Sequence, residues 1–211
     1  MDVSKITVNA QNSIRIDAGK VIYIDPFEIK ESNNDADYIF ITHDHYDHFS
    51  PESIEKIIKA DTVIVVPEPM AKKLDKKVNA AETILVKPDQ TYQTKDFSFE
   101  TVKAYNNMKP FHVKGAGWVG YILIIDGQRV YIAGDTDATK DAEEVKCDIA
   151  LIPIGGFYTM NYKEAAELIN KIKPRFVIPT HYGKVVGKPT DGEDFKELVD
   201  DDIIVEIKLN A

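Results

Sequence analysis

The sequence predicts an α/β fold in which helices cover at least one face of its β-sheets. Apolar runs with the strand pattern recur along the chain, and some alternate with polar residues while others are apolar throughout, which fits half-solvated and fully covered strands. Helical patterns follow strands in both halves of the chain, as in a pseudo-symmetric sandwich. With 211 residues, 44% of them hydrophobic, and no glycine- and serine-rich linker, we expect a single domain over residues 1–211.

The strand pattern is found in twelve separate runs. They cover residues 6–9, 13–17, 21–24, 38–41, 62–66, 83–86, 97–103, 118–125, 129–132, 149–152, 175–178 and 203–208. The turn sequence DAGK at 17–20 separates the second run from the third, and DG at 126–127 separates the eighth from the ninth. Both turns are typical of β-hairpins, so the sequence predicts two antiparallel pairs there.

Three segments predict helices between these strands. Ser50 is followed by a proline and then by an apolar stripe, which is typical of a capped helix start. Asn161 and Glu164 form a capping box, and the helix that they begin is expected to end at the proline at position 174. A shorter helix is expected over residues 70–76. The first helix would begin directly after a group of histidines.

Composition limits the partners and the compartment of the protein. The chain has a formal charge of -9 and a pI near 5.1. A protein with this negative charge repels the phosphates of nucleic acids, so we expect no nucleic-acid partner. The single cysteine, Cys147, cannot form an internal disulfide, and the first residues lack the pattern of a signal peptide, so we expect a cytoplasmic protein. The apolar runs are far shorter than a membrane span, so no membrane partner is expected. Cys147 and Trp118 are interpreted as packing residues.

The segment THDHYDHFS at residues 42–50 predicts a metal site. It follows an apolar strand and holds three of the five histidines of the chain. Extended residues two apart point the same way, so His43 and His45 can bind one ion, while Asp47 and His48 in the following turn can reach a second. A solvated polar turn is the alternative interpretation. Three imidazoles within six residues at the end of a buried strand favour metal.

Two later strand runs also end in a candidate ligand. Asp135 follows the run 129–132, and a carboxylate at that place could bridge two cations. His181 follows the run 175–178. Taken alone, each would be an ordinary loop residue, but together with the histidine segment they predict a dinuclear site assembled from three strand ends.

Three motifs, in this order, resemble the metallo-β-lactamase superfamily: HDHYDH at 43–48, GDTD at 134–137 and PTHYG at 179–183. The resemblance covers nearly the whole chain and implies a four-layer αββα sandwich of two mixed sheets with helices on the outer faces. Further segments are similar to a branch of small metal-dependent hydrolases distantly related to the ascorbate-phosphate lactonase group. These segments are AYN at 104–106, FHVKG at 111–115 and YTM at 158–160.

Residue by residue, the resemblance implies a complete set of metal ligands. It implies His43 and His45 on the first ion, Asp47, His48 and His181 on the second, and Asp135 between them. Relatives usually supply one more histidine to the first ion where this chain has Asn106. His112, six residues further on, is either that ligand or a residue of a substrate-contacting or plain loop.

Other positions carry weaker expectations from the same resemblance. Asp25 resembles a buried aspartate that orients a ligand, with a simple turn residue as the alternative, and Asp137 is similar. Asp44 and Tyr46 are expected to point away from their ligand neighbours. Relatives often have a Gly-His pair in the first hairpin, where this chain reads VNAQN at 8–12, so any function of that histidine is absent.

These residues predict a hydrolase that uses two metal ions. Two divalent ions about 3.5–4 Å apart can activate water for attack on an ester, lactone or phosphoester. The carboxylates of Asp47 and Asp135 are the ones to which we assign catalytic roles. Zinc suits the imidazole-rich ligand set, and manganese or iron is also admitted. We expect a small-molecule substrate, which is anionic if nearby lysines bind it. Those lysines are Lys114, Lys184 and Lys188, although each is also an ordinary surface lysine.

Two rival classes remain open at this point. A non-haem iron redox protein of the same superfamily would usually have a glutamate at the position of His45. A non-catalytic metal-binding protein is the other rival, because Asn106 stands in place of the expected imidazole.

Overall fold

Two β-sheets form the frame of the protein in the computed structural model, which describes residues 1–209. The first sheet has six strands in chain order: β1 (Ile6–Val8), β2 (Ile14–Asp17), β3 (Val21–Ile24), β4 (Tyr38–Phe40), β5 (Val63–Pro67) and β6 (Glu82–Val86). The second has seven: β7 (Thr91–Gln93), β8 (Ser98–Lys103), β9 (Val119–Ile125), β10 (Gln128–Ile132), β11 (Ile149–Pro153), β12 (Phe176–Thr180) and β13 (Ile204–Val205). Residues 210–211 of the expected domain lie outside the described residues, and the single-domain expectation stays a prediction.

Both sheets are mixed, and they are built alike. In the first sheet β1, β2 and β3 pair antiparallel and β3 to β6 pair parallel. In the second sheet β7 to β10 pair antiparallel and β10 to β13 pair parallel. The hairpins expected at 17–20 and 126–127 connect β2 to β3 and β9 to β10. This internal similarity confirms the pseudo-symmetric sandwich predicted from the two halves of the sequence.

The strand β4 shows how the layers are held together. Its side chains alternate between two apolar environments, so every residue of this strand is buried. Phe40 contacts the second sheet, with its ring centroid 5.1 Å from that of Phe99 and 5.0 Å from that of Tyr121. Ile39 points the other way, into the cluster that also contains Ile54 of the first helix. A strand buried on both faces places its last residues deep inside the molecule.

Helices cover the outer faces of both sheets. They are α1 (Pro51–Ile57), α2 (Ala71–Asp75), α3 (Lys140–Glu143), α4 (Tyr162–Ile172) and α5 (Asp191–Lys196). The first two pack on the first sheet, and the apolar residues of α4 belong to the core of the second. The layers form the four-layer αββα sandwich that the resemblance implies. Among residues 1–209, no helix combines the length and the apolar character needed to cross a membrane.

The predicted caps are present at the expected residues. The hydroxyl of Ser50 accepts a hydrogen bond from the backbone N–H of Ser53, and Asn161 forms a capping box with Glu164. These caps satisfy backbone donors that a helix start leaves without partners. The helix α1 begins three residues after His48, which holds the histidine segment in a tight turn.

Several short elements differ from the sequence prediction. The strand β7 and the helices α3 and α5 were not predicted, and the run 203–208 is a strand only at Ile204–Val205. The helix α3 has four residues, too few for a periodic pattern. The helix α5 contains Gly192, a residue that disfavours helix, and Gly192 is needed there because a Cβ would collide with the ring of Tyr182. Tertiary packing therefore decides this element.

Candidate metal centre

Three strand ends bring their side chains to one edge of the sandwich. The histidine segment follows β4 in the first sheet, whereas Asp135 follows β10 and His181 follows β12 in the second. Gly134 allows the two sheets to approach here, because its φ is +64° and a Cβ on it would lie 3.1 Å from the side chain of Thr42. The convergence of the three strand ends, predicted from the sequence, is present.

The first group of potential ligands consists of His43, His45, His112 and Asp135. Their ligand atoms all lie within 4.8 Å of one another. The Nε2 of His43 lies 3.1 Å from the Nδ1 of His45 and 3.4 Å from the Nε2 of His112. The Nε2 of His112 also lies 3.4 Å from the Oδ2 of Asp135. Four ligands arranged tetrahedrally at about 2.1 Å from an ion are about 3.4 Å apart, so the spacing of this group fits ligation of one metal ion.

The second group consists of Asp47, His48 and His181. The Oδ2 of Asp47 lies 3.7 Å from the Nε2 of His48 and 3.3 Å from the Nε2 of His181. The second oxygen of Asp135 faces this group, with its Oδ1 3.2 Å from the Nε2 of His48 and 3.4 Å from the Nε2 of His181. One oxygen of Asp135 therefore faces each group.

Asp25 is fully buried and holds the ring of His48. Its Oδ2 lies 2.7 Å from the Nδ1 of His48 and accepts hydrogen bonds from Asn12 and from the hydroxyl of Thr42, and its Oδ1 accepts from the backbone N–H of Thr42. The same hydroxyl lies 2.9 Å from the Nδ1 of His43. With the Nδ1 atoms of both rings engaged, their Nε2 atoms face the centre. The turn-residue interpretation of Asp25 is therefore wrong.

The structure places His112 in the centre and Asn106 behind it. The Oδ1 of Asn106 accepts a hydrogen bond from the backbone N–H of His112 and lies 3.1 Å from the Nδ1 of its ring. The amide of Asn106 donates to the Oδ1 of Asp137 and to the backbone oxygen of Tyr158. The residue aligned with the missing imidazole therefore orients the imidazole that lies in the first group. Asp137 belongs to this outer network, and Lys109 pairs with it at 2.6 Å.

Charges inside the centre balance one another. Burial lowers the pKa of His43 well below its ordinary value, and the neighbouring His48 lowers it further. Burial acts in the same direction on His48, but the carboxylates of Asp135 and Asp25 outweigh it and raise the pKa of His48 well above its ordinary value. Burial disfavours the Asp135 anion, yet His181 and His48 hold the pKa of that carboxyl well below its ordinary value. A cation at the Nε2 of His48 would therefore replace a proton.

Buried polar atoms without partners are concentrated at the centre. Among the residues described, the Nε2 of His48, the Oδ1 of Asp135 and both ring nitrogens of His181 have no hydrogen-bond partner. Buried groups of this kind are costly unless something binds them. These atoms point to ligation by a metal ion, because they surround the same space and the separations match ligand spacing.

The other positions considered in the sequence lie outside the two groups. Asp44 pairs with Lys73, and the side chain of Tyr46 is 65% exposed, so both point away as expected. Lys114 pairs with Asp141. Lys184 pairs with Glu28, while Lys188 is an exposed residue of the loop after His181. Half-buried Cys147 packs against the core, and burial raises the pKa of its thiol to about 12, which fits a packing residue.

Two residues of the site were missed by sequence reasoning. Trp118, interpreted as ordinary core, packs with its ring centroid 5.0 Å from those of His43 and His45. Gln11 is 1% exposed, and neither polar atom of its side chain has a hydrogen-bond partner among the described residues. Its backbone oxygen accepts from the N–H of His181. The signal for Gln11 was its place in the hairpin segment where relatives have a histidine.

The protein has two mixed sheets, and two groups of histidines and carboxylates lie where strand ends of both sheets meet. This arrangement defines the metallo-β-lactamase fold. The chain belongs to the family described as Beta-lactamase superfamily domain, whose model matches residues 5–181. It is 34% identical over 200 residues to a UPF0173 metal-dependent hydrolase of Pyrococcus abyssi, covering 88% of this chain and 88% of the relative.

Solved structures show the same relationship. A protein from Parabacteroides distasonis, assigned as a metal-dependent hydrolase, is 32% identical, with a TM-score of 0.82 over 96% of this chain and 91% of that chain. CmlA, a diiron β-hydroxylase from Streptomyces venezuelae, is 14% identical, with a TM-score of 0.75 over 97% of this chain and 52% of that chain. The second likeness concerns the fold alone. The resemblance stated from the motifs is confirmed.

Proposed function

We propose that this chain, a metal-dependent hydrolase of the metallo-β-lactamase fold, binds two divalent ions and hydrolyses a small ester, lactone or phosphoester. The observation that carries the proposal is the position of Asp135, whose two oxygens face two separate groups of ligand atoms. A bridging carboxylate of this kind sets the separation of two ions. The names of the relatives from Pyrococcus abyssi and Parabacteroides distasonis support the reaction class.

The residues around Asp135 divide the ligands between the two ions. His43, His45 and His112 would hold the first, and Asp47, His48 and His181 would hold the second. When bound, two such ions would supply activation of a water molecule near neutral pH and polarisation of the scissile group. Within the described residues no cysteine or serine takes part in either group, so water is the nucleophile that this arrangement supports.

The protein orients these ligands in advance. Asp25 fixes the ring of His48, Thr42 fixes the ring of His43 and Asn106 fixes the ring of His112. Partners of this kind determine the tautomer and the direction of the coordinating nitrogen. The anion of Asp135 is retained by the imidazoles around it, so a carboxylate is present at the shared position near neutral pH. Trp118 packs against the rings of His43 and His45 and supports their positions.

Zinc is the ion that the donor set supports best. Five imidazole nitrogens and two carboxylates form the two groups, and imidazole is a good zinc ligand. The spacing of about 3.4 Å also fits tetrahedral zinc. The iron redox alternative is disfavoured because His45 contributes a nitrogen close to the Nε2 of His43 where a diiron protein would usually have a carboxylate. Manganese and iron remain ions that the carboxylates can accept.

A hydrolase screen with matched variants tests the proposal. The zinc-loaded protein is assayed with neutral esters, lactones and phosphoesters, and Asp135→Asn is compared with Asp44→Asn. Asp44 is a carboxylate of the same segment as Asp47, but it points away and pairs with Lys73. We expect Asp135→Asn to abolish hydrolysis and Asp44→Asn to retain it. Equal activity in both variants, or wild-type activity after complete removal of metal, would show that the assignment is wrong.

A further inference from the structure

Three aromatic side chains form a cluster on the surface beside the candidate metal centre. The ring centroid of Phe111 lies 5.4 Å from that of Phe157 and 4.7 Å from that of Tyr158. Phe157 and Tyr158 are 4.7 Å apart and nearly perpendicular, at 85°. Phe157 is 68% exposed and Phe111 is 36% exposed. Rings arranged in this way present an open apolar surface to solvent instead of to the core.

The aromatic cluster is attached directly to the residues that orient the first ligand group. Phe111 immediately precedes His112, whose Nε2 faces that group. The backbone oxygen of Tyr158 accepts a hydrogen bond of 2.8 Å from the amide of Asn106, the residue that orients the ring of His112. Tyr46, between His45 and Asp47 in the sequence, is a further exposed aromatic residue, and its ring lies 5.9 Å from that of Phe27. The position of the cluster is therefore tied to the position of the ligands.

The backbone of this region fixes the cluster. Phe157 has a φ of +50°, a left-handed conformation that is uncommon for a bulky side chain. The conformation is held by two backbone hydrogen bonds, from the N–H of Gly156 to the oxygen of Met160 and from the N–H of Thr159 to the oxygen of Gly156. A strained aromatic residue that exposes its ring has no role in packing the core. Residues in such conformations are concentrated at functional sites.

The two lysines of the segment that carries Phe111 are paired with carboxylates. Lys109 lies 2.6 Å from the Oδ1 of Asp137 and 2.6 Å from the backbone oxygen of Thr159. Lys114 pairs with Asp141. A substrate group that extends from the metal centre to the aromatic cluster therefore meets aromatic rings and lysines that are already paired with carboxylates. This environment favours an uncharged apolar group over an anionic one, contrary to the expectation drawn from lysines near the ligands in sequence.

We propose that the aromatic cluster is the binding subsite for an uncharged aryl group of the substrate, whose scissile ester or lactone bond lies over the metal centre. This inference rests on the proposed function and names the class of compound on which it acts. The rings of Phe111 and Phe157 provide edge and face contacts for a planar group. The ring-bearing side of the substrate would be held by the protein and the reacting side by the ligated ions.

Hydroxamates separate the subsite from the metal centre, because one chelating head can carry different tails. Acetohydroxamate, benzohydroxamate and the hydroxamate of succinic acid are titrated into the zinc-loaded full chain by calorimetry. All three should bind through the common head. Benzohydroxamate should bind about tenfold tighter than acetohydroxamate, because a phenyl ring gains contacts with aromatic side chains. The succinic acid derivative should gain no comparable advantage.

Variants of the cluster show whether these rings cause the preference. In Phe111→Ala and Phe157→Ala the ratio of the benzohydroxamate and acetohydroxamate affinities should fall towards one. Leu198→Ala, which removes an exposed apolar side chain near the end of α5, is the matched control and should keep the wild-type ratio. Both phenylalanines are exposed, so truncating them leaves the buried core intact.

The outcomes distinguish this inference from the proposed function. Failure of acetohydroxamate to bind the zinc-loaded protein would overturn the metal centre and the subsite together. The subsite alone would be overturned if acetohydroxamate binds but benzohydroxamate binds no more tightly than acetohydroxamate. It would also be overturned if the succinic acid derivative binds more tightly than benzohydroxamate. An affinity ratio that stays at the wild-type value in both variants would also overturn the subsite. If sedimentation then shows that the wild type is a dimer and that both variants are monomers, the cluster is a contact between two copies of the chain.

Discussion

Replacing Asp25 with asparagine tests whether Asp25, which is not itself a candidate ligand, orients the candidate ligand His48. The Oδ2 of Asp25 accepts hydrogen bonds from the side-chain amide of Asn12 and the hydroxyl of Thr42, and it lies next to the Nδ1 of His48. All three distances are 2.6–2.7 Å. The NH2 group of an asparagine at this position is itself a donor, so it could not accept the hydrogen bonds that the carboxylate accepts. A buried hydrogen bond to a charged group contributes about 1.5–3 kcal/mol, and the Thr42 hydroxyl can rotate. We therefore expect the free energy of unfolding to fall by about 2–4 kcal/mol.

The same change should weaken metal binding. Without the carboxylate, the Nδ1 of His48 loses the acceptor that fixes the direction of the ring, so its Nε2 is no longer held facing Asp135. Loss of an orienting partner lowers metal affinity by about 10- to 100-fold. Zinc affinity is measured by competition with a chromogenic chelator, and stability by urea unfolding of the metal-free protein. Asp148→Asn is the control, because Asp148 accepts a backbone hydrogen bond from Arg129 far from the ligands.

The two measurements together decide the question. Asp148→Asn should lose stability and keep the wild-type zinc affinity, whereas Asp25→Asn should lose both. A folded Asp25→Asn protein that binds zinc as tightly as the wild type would refute the idea that Asp25 orients His48 for a metal ion.

Three further changes probe other parts of the account. Asn106→Leu should lower the zinc affinity of the first site by about 10- to 100-fold, because the ring of His112 loses its partner; a chelator titration that shows two unchanged sites would contradict this. Gln11→Met should raise the free energy of unfolding of the metal-free protein by about 1–3 kcal/mol, because it removes buried polar atoms that have no described partner; destabilisation in urea would contradict it. The hydrogen bond from Arg129 lowers the pKa of Glu100, so this pair stabilises the fold above the ordinary pKa of glutamate and loses that contribution as pH falls. Glu100→Gln should remove about 0.5–1 kcal/mol at neutral pH and little in acid, and an equal loss at both values in urea titrations would count against it.

Much of the fold was predictable because the site-forming strands are apolar. The strands β4, β10 and β12 are buried towards their carboxyl ends, and a histidine or a carboxylate follows each of them. Ligand chemistry alone therefore indicated that distant strand ends meet. The strand β7 was missed since its three residues are mostly exposed, and α5 was missed since Gly192 breaks its pattern in order to accommodate Tyr182.

The part of the site that escaped the sequence lies in the loops. The spacing between Asn106 and His112 does not reveal which of the two faces the centre, because that depends on a loop that folds back on itself. The buried position of Gln11 depends on its backbone contact with His181, which is 170 positions away in the sequence. The aromatic cluster joins residues from two loops more than forty positions apart. No local pattern encodes contacts of these kinds.

In the function proposed above, distant strand ends hold a pair of ions on either side of Asp135. Anomalous diffraction at the zinc absorption edge from crystals of the zinc-loaded protein measures this most directly. We expect two peaks about 3.5–4 Å apart, one beside His43, His45 and His112 and the other beside His48 and His181. A single peak at full zinc occupancy, or peaks away from these side chains, would contradict it.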